Sequence, residues 1–199
     1  MKKEDEILLL DYNLEWKNQF EELKNILTEY LDIDIIGIEH VGSTSIPGMK
    51  AKPIIDLDII IDDNNSTLKK VISKLKELGY LHLGNMGITG REAFERLNST
   101  TPNLGSQKQW FKHNLYVCKK GSIGLSNHLN LRNYLKENPE KVIEYSKLKQ
   151  QLVDKFPFDI DSYVDGKTNF IVEILNKTGM NNNETKFIEK QNKLPDSTK

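Results

Sequence analysis

The sequence has little cysteine and no long apolar run. Cys118 is its only cysteine, so no disulfide can form within the chain. The charged start at 1–6 is followed by an apolar run at 7–10 only, which is too short for a signal peptide or a membrane span. These features predict a cytoplasmic protein with no membrane partner.

An excess of charge of one sign is also missing. Lysine and arginine number 28, aspartate and glutamate number 29, and the net charge is −1 over 199 residues. A dedicated nucleic-acid-binding protein usually carries a clear basic excess, so nucleic acid is not the expected partner. Apolar residues make up 37% of the chain, as in a globular domain. Nothing in the sequence indicates the oligomeric state.

Hydrophobic periodicity predicts a first half that mixes helices and strands. Apolar side chains recur every three or four residues over 13–31 and 66–78, which indicates two amphipathic helices. Short apolar or alternating runs predict strands at 33–41, 54–61, 80–83, 91–97 and 110–118.

The second half is predicted to be helical. The expected helices span 123–137, 139–156 and 161–177. The end of the chain, 179–199, shows no convincing period and is expected to be a disordered or loosely attached tail. We therefore predict an α/β (α+β) fold in a single domain over 1–178, with a small mixed sheet and flanking helices in 12–120 and a helical C-terminal part in 121–178.

Two acids interrupt the apolar strand at 54–61. A strand has a period of two, so Asp56 and Asp58 point to the same face. Burying neighbouring carboxylates is costly unless a cation lies between them, and Mg²⁺ binds carboxylates together with substrate phosphates. A solvated edge strand is disfavoured because Ile54 and Ile60 share this face. We predict that Asp56 and Asp58 are catalytic residues that bind Mg²⁺ or Mn²⁺.

A predicted turn at Gly42 and Ser43 precedes the acid-bearing strand. Its backbone N–H groups and its hydroxyl suit a phosphate group. A glycine-serine turn is weak evidence by itself, but a phosphate cradle followed by a metal-binding acid pair is typical of phosphoryl or nucleotidyl transfer. Lys52, just before the strand, is expected to pair either with a phosphate or with the acids.

Three histidines have open interpretations. His40 precedes the turn and is either a base or phosphate contact, or a buried structural side chain. His113 lies on a predicted strand and is expected either to face the acids, as a third ligand or polar neighbour, or to be a satisfied core histidine. His128 is predicted to be structural or on the surface.

Four other basic side chains are candidate substrate contacts. Arg91 and Arg96 lie on a predicted strand, and arginine binds phosphate through a bidentate fork, although an exposed strand face is the alternative. Arg132 and Lys167 lie on predicted helices and could reach an anionic substrate. For each of these two alone, a surface ion pair is the simpler reading.

The segment 40–56, HVGSTSIPGMKAKPIID, resembles the signature of the GrpB family of bacterial proteins. The match extends over about 12–175 through the opening helix with Glu15 and Trp16, the strand at 113–118 and the helical segment at 131–135. GrpB proteins are similar to the nucleotidyltransferase superfamily that includes DNA polymerase beta. That likeness implies a nucleotidyltransferase-like fold.

Members of that superfamily carry a Gly-Ser turn, an acid-x-acid strand and often a third acid. Residues 42–43 and 56–58 match the first two parts, whereas Glu92 and Glu95 are candidates for the third by location only. The resemblance implies Mg²⁺-dependent transfer from a nucleoside triphosphate to a hydroxyl on an unidentified small-molecule acceptor. The alternatives are an inactive nucleotide-binding or regulatory module, and a metal-dependent phosphohydrolase that uses His40 or His113.

Overall fold

The computed structural model describes residues 6–33, 35–105 and 107–193. Its elements are, in chain order, α1 (Glu15–Leu31), β1 (Gly37–Val41), β2 (Ile55–Ile61), α2 (Asn65–Glu77), β3 (Tyr80–Gly84), β4 (Arg91–Arg96), β5 (His113–Lys119), α3 (Ile123–Glu137), α4 (Pro139–Lys155), α5 (Ile160–Lys177) and α6 (Asn182–Asn192). The predicted fold class is confirmed. Within these residues, no helix combines the length and the apolar composition that crossing a bilayer requires.

The five strands form one mixed sheet in the order β1-β2-β5-β4-β3. The central strands β2 and β5 run parallel, and the other neighbours are antiparallel. Parallel neighbours need a long crossover, which α2, β3 and β4 supply. The register of the central pair places Asp56 opposite Asn114 and Asp58 opposite Tyr116.

The two faces of β2 are covered by different parts of the chain. Ile55, Leu57 and Ile59 pack against α1 and α2 in the main hydrophobic core. The acid-bearing face looks towards the helical half of the chain. Ile46 and Met49, which follow β1, pack with side chains of α3, α4 and α5 and so attach that half next to the acids.

The expectation of a disordered tail is wrong for its first part, because residues 182–192 form α6. Asn181 accepts hydrogen bonds from the backbone N–H groups of Asn183 and Glu184, and the Glu184 carboxylate accepts one from Asn181 N. This capping box starts the helix. Ile188 is buried against Met180, which follows α5, and this contact stabilises the attachment of α6. Residues 194–199 of the predicted tail lie outside the described residues.

Candidate functional site

A cavity of about 360 Å³ lies between the acid-bearing face of the sheet and the helical half. The turn at Gly42 and Ser43 forms part of its wall, and Asp56 is the carboxylate that lines it. The basic residues of the wall come from four separate segments: Lys52 before β2, Arg132 on α3, Lys149 on α4 and Lys167 on α5. The tertiary fold therefore surrounds one carboxylate with four basic side chains.

Gly42 and Asp56 are in direct contact. Gly42 has φ 68° and ψ −175°, a backbone conformation that is essentially restricted to glycine. A Cβ atom built at this position would lie 2.1 Å from Asp56 Oδ2. The missing side chain thus allows the carboxylate to lie against the turn, so the two sequence motifs form one site.

Asp56 is held from the other side by Asn114. Asn114 Nδ2 donates a hydrogen bond of 2.8 Å to Asp56 Oδ1 across the parallel strand pair. Burial raises the pKa of Asp56, although the Asn114 bond and the nearby His128 oppose that shift. The neighbouring-strand position opposite Asp56 therefore carries an amide and not a third carboxylate.

Asp58 has a different environment from Asp56. Its side chain is fully buried, and His128 Nδ1 lies 2.8 Å from one of its carboxylate oxygens and 3.1 Å from the other. Burial alone would lower the pKa of His128, but the Asp58 carboxylate outweighs burial and the pKa is raised. Asp58 therefore faces a histidine of α3 and is closed off from the cavity, in contrast to the open metal ligand expected from the sequence.

His128, for which the sequence predicts a structural or surface position, therefore lies at the candidate site. It lines the cavity together with Tyr116, whose ring centroid lies 5.6 Å from that of His128. The sequence offered no local signal, because the partner carboxylate lies 70 residues earlier in the chain.

Lys149 is the most buried basic side chain of the cavity, and it is not among the residues predicted from the sequence. Its Nζ donates to Ser43 Oγ at 3.0 Å and to the carbonyl oxygen of Lys50, and it lies 4.7 Å from the ring centroid of Tyr145. Burial, with repulsion from Lys167, lowers the pKa of Lys149 to about 6. A lysine within the apolar stripe of α4 was the available signal, since this stripe faces inward.

Lys52 and Lys167 form a second basic pair around Tyr163. Their Nζ atoms lie 5.8 Å and 4.3 Å from its ring centroid. Burial, with repulsion from Lys52, lowers the pKa of Lys167 to about 7. Burial lowers the pKa of both lysines, and the nearby Asp56 carboxylate raises it by a smaller amount. Both lysines therefore lie near Asp56, and the substrate contacts expected of them stay predictions.

The family model described as GrpB protein matches residues 6–177. The chain belongs to the GrpB family. It is 34% identical over 172 residues to the "Glutamate-rich protein GrpB" of Alkalihalophilus pseudofirmus, covering 86% of this chain and 95% of that one. It is 35% identical over 170 residues to the "UPF0157 protein YqkA" of Bacillus subtilis, covering 85% of this chain. The chain spans only 46% of the length of that second relative.

Solved structures are similar as well. The crystal structure of the conserved protein GrpB from Enterococcus faecalis has a TM-score of 0.72 at 31% identity, covering 86% of this chain and 96% of that chain. The Cid1 poly(U) polymerase in its MgGTP-bound form has a TM-score of 0.43 at 11% identity, covering 70% of this chain and 45% of that chain. The GrpB structure shares the fold, and the more distant likeness carries no inference about activity.

Two histidines expected near the substrate lie elsewhere in this GrpB protein. His40 is buried, stacks on Phe20 with ring centroids 4.5 Å apart, and lies 3.1 Å from Thr44 Oγ1 through its Nε2. Burial, with nearby positive charge from α3, lowers its pKa to about 3. Its role in substrate binding is therefore not supported, and His40 instead packs α1 against β1.

His113 does not face the acids. It starts β5 opposite Ile55, so it lies on the core face and its neighbour Asn114 takes the acid-bearing face. Its Nε2 is 2.7 Å from Tyr80 Oη and its Nδ1 is 2.9 Å from the Phe111 carbonyl oxygen. Burial lowers its pKa to about 4. The predicted alternation, with His113 and Leu115 on one face of the strand and Asn114 and Tyr116 on the other, agrees with the structure. Which of these two faces carries Asp56 depends on the register between β2 and β5.

The three arginines have separate environments. Arg132 Nη1 donates to Glu39 at 2.6 Å and to the His40 carbonyl oxygen at 2.8 Å, so it ties α3 to β1 at the cavity wall. Arg91 and Arg96 line a second cavity, which lies over β4 and β5 and not over β2. Arg96 Nη1 donates to two carbonyl oxygens just before β5, at 3.0 Å and 3.2 Å.

The oxygen donors around the cavity decide how a metal would fit. The described residues contain no group of three or more His, Cys, Asp or Glu side chains that could hold a metal ion. Asp56 lines the cavity, and Asn127 Oδ1 is buried there without a hydrogen-bond partner. Mg²⁺ commonly uses one or two carboxylates plus substrate phosphates. This donor set fits a cation shared between Asp56 and a phosphorylated ligand, and does not fit a cation held by Asp56 and Asp58 together.

Proposed function

We propose that this GrpB protein binds a nucleoside triphosphate in the cavity and transfers its nucleotidyl group to the hydroxyl of a small-molecule acceptor. The observation that carries the proposal is the pair of lysines that line the cavity without a carboxylate partner among the described residues. Within the described ranges, neither Lys149 nor Lys167 has a carboxylate at ion-pair distance, although Lys149 is 1% exposed. Burying a charged group without a partner is costly, which lowers the pKa of both lysines, and a polyanionic ligand would favour their protonated forms.

The turn would supply the nearest contacts to the phosphates. Ser43 Oγ already accepts a hydrogen bond from Lys149 Nζ, so a phosphate beside Ser43 would meet a hydroxyl and, when Lys149 is protonated, an ammonium. Such charge-assisted bonds are about twice as strong as neutral ones. Lys167 and Lys52 extend the positive surface along the cavity, which suits a chain of phosphates better than a single one.

Asp56 would hold the metal that the phosphates bring. A bound Mg²⁺ supplies neutralisation of phosphate charge and polarisation of the reacting phosphoryl oxygens. In the transfer, the acceptor oxygen forms a bond to the α-phosphorus while the bond to the bridging oxygen breaks. Pyrophosphate leaves with that electron pair, and the acceptor proton passes to solvent. Asn114 orients Asp56 throughout through its 2.8 Å hydrogen bond.

The test is a screen of the four ribonucleoside triphosphates with Mg²⁺ or Mn²⁺. Binding is measured by calorimetry and product formation by pyrophosphate release. The Asp56→Asn variant should lose metal-dependent binding, whereas Asp62→Asn, an exposed acid just beyond β2, should behave as the wild type. Equal metal-dependent binding in both variants would refute the proposal.

A second candidate function, an inactive nucleotide-binding module, is favoured by one observation. The Asp58 carboxylate is used by His128, which leaves Asp56 as the carboxylate that lines the cavity. Such a module would bind Mg²⁺ and nucleotide without releasing pyrophosphate, so the same screen separates the two functions. A phosphohydrolase would need His40 or His113 beside the substrate, but neither histidine lines the cavity that contains Asp56. The geometry therefore does not support this alternative.

A further inference from the structure

A second cavity, of about 600 Å³, opens on the same face of the sheet as Asp56. The strand register defines its position. Asn114 on β5 lies opposite Asp56, and Tyr116 on β5 lies opposite Ala93 on β4. Neighbouring strands are spaced by about 4.8 Å, so β4 lies about 10 Å from β2 across the sheet. A small molecule is long enough to span this distance.

The two cavities meet at β5. Asn114 and Tyr116 line both of them, and Asn114 is also the residue that hydrogen-bonds to Asp56. A ligand in the second cavity would therefore have one end beside the carboxylate of the first. A two-substrate transfer requires two adjoining sites, because the reacting atoms of the two substrates must come within about 3–3.5 Å of each other. The two cavities meet this requirement next to the Asp56 carboxylate.

The side chains of the second cavity indicate which chemistry it accepts. Arg91, Arg96 and Lys112 supply three basic groups, against one carboxylate from Glu95. Arg91 Nε is buried without a hydrogen-bond partner, and the Arg91 guanidinium lies 4.8 Å from the ring centroid of Tyr116. Ala93 is 6% exposed and forms a small apolar floor. The cavity thus combines a small apolar floor with more basic than acidic side chains.

We propose that this second cavity is the acceptor subsite, and that the acceptor is a small hydroxyl compound carrying a phosphate or carboxylate group. The inference rests on the proposed nucleotidyl transfer and names its second substrate class. The anionic end lies among Arg91, Arg96 and Lys112, and the hydroxyl lies at Asn114 beside the α-phosphate. That hydroxyl oxygen forms the new bond to phosphorus as pyrophosphate departs with its bonding electrons and the hydroxyl proton goes to solvent.

The test measures the binding of three probes to the full chain: sn-glycerol 3-phosphate, D-glycerate and D-ribose 5-phosphate. The first cavity is filled beforehand with Mg²⁺ and α,β-methylene-ATP, which cannot be cleaved at the α-phosphate. Ala93→Leu fills the floor of the second cavity, and Lys112→Gln removes a basic group without changing the packing of the sheet. Lys120→Gln is the matched control, because Lys120 is exposed and lines neither cavity.

At least one probe should bind the nucleotide-loaded wild type. Its affinity should fall about tenfold, or 1.4 kcal/mol, in Ala93→Leu, fall less in Lys112→Gln, and stay unchanged in Lys120→Gln. Affinity for the nucleotide analogue should be equal in all four proteins, which also establishes that they are folded. The proposal is overturned if no probe binds, if the probes displace the analogue, or if Lys112→Gln and Ala93→Leu bind as the wild type does.

Failure of the proposed function gives a different pattern. If the analogue does not bind at all, nucleotidyl transfer is refuted and the probes are titrated into the free chain. Probe affinity that still depends on Ala93 and Lys112 then supports an anion site in the second cavity. Probe affinity that is independent of both residues refutes that site as well.

Discussion

Replacing Gly42 by alanine is the sharpest perturbation of the site, because one added carbon affects both halves of it. The backbone at φ 68° and ψ −175° is open to glycine only, and strain of this kind costs about 1–3 kcal/mol. The new Cβ would also lie 2.1 Å from Asp56 Oδ2, so the carboxylate must move away from the turn. We expect the free energy of unfolding to fall by about 1–3 kcal/mol and Mg²⁺-nucleotide binding to be lost.

Gly48→Ala is the matched control. Gly48 has φ 78°, but a Cβ there would have no heavy atom within 4 Å. This control should therefore lose stability from backbone strain and keep its nucleotide affinity. Denaturant unfolding gives the stabilities and calorimetry gives the affinities; for a domain of this size, 1 kcal/mol corresponds to about 2–4 °C in Tm. Equal nucleotide affinity in the two variants would refute the account of Gly42.

Three further variants test separate parts of the account. Burial lowers the pKa of Lys149 from 10.5 to about 6, so between these pH values Lys149 is protonated in the unfolded chain and neutral in the folded chain. The free energy of unfolding should therefore rise with pH over this range, and it should rise less steeply in Lys149→Met. Since an anion binds best to charged Lys149, nucleotide affinity should also fall as pH rises above 6, and a flat profile would contradict this. Asp58→Asn should lower the pKa of His128 in an NMR titration and cost about 3–5 kcal/mol of stability, whereas Asp62→Asn should do neither. His40→Ala should cost about 1–3 kcal/mol in denaturant unfolding yet leave nucleotide affinity unchanged, and a loss of affinity would return His40 to the site.

Local patterns predict how several residues of the candidate site are placed relative to one another. The alternation of Ile55 and Leu57 with Asp56 and Asp58 fixed which side chains share a face, and the structure keeps that division. The turn at Gly42 was tied to this strand by proximity in sequence. Each of these predictions depends on residues that are close along the chain.

What depended on packing between distant segments could not be predicted. His128 is paired with Asp58 because α3 covers the sheet, and no local pattern connects two residues 70 positions apart. The orientation of His113 depends on the register between β2 and β5, which alternation leaves open. Two features that the sequence analysis does not predict have local signals in the sequence: Lys149 lies in an apolar stripe of α4, and the Asn181–Glu184 capping box begins α6.

The central claim is that the turn, Asp56 and the buried lysines together hold a polyphosphate. The most direct measurement is a crystal structure of the chain with Mg²⁺ and α,β-methylene-ATP. We predict that the phosphates lie within hydrogen-bonding distance of Ser43 and Lys149, with the cation bound by Asp56. Phosphates bound elsewhere, with this cavity holding only solvent at saturating nucleotide, would contradict the account.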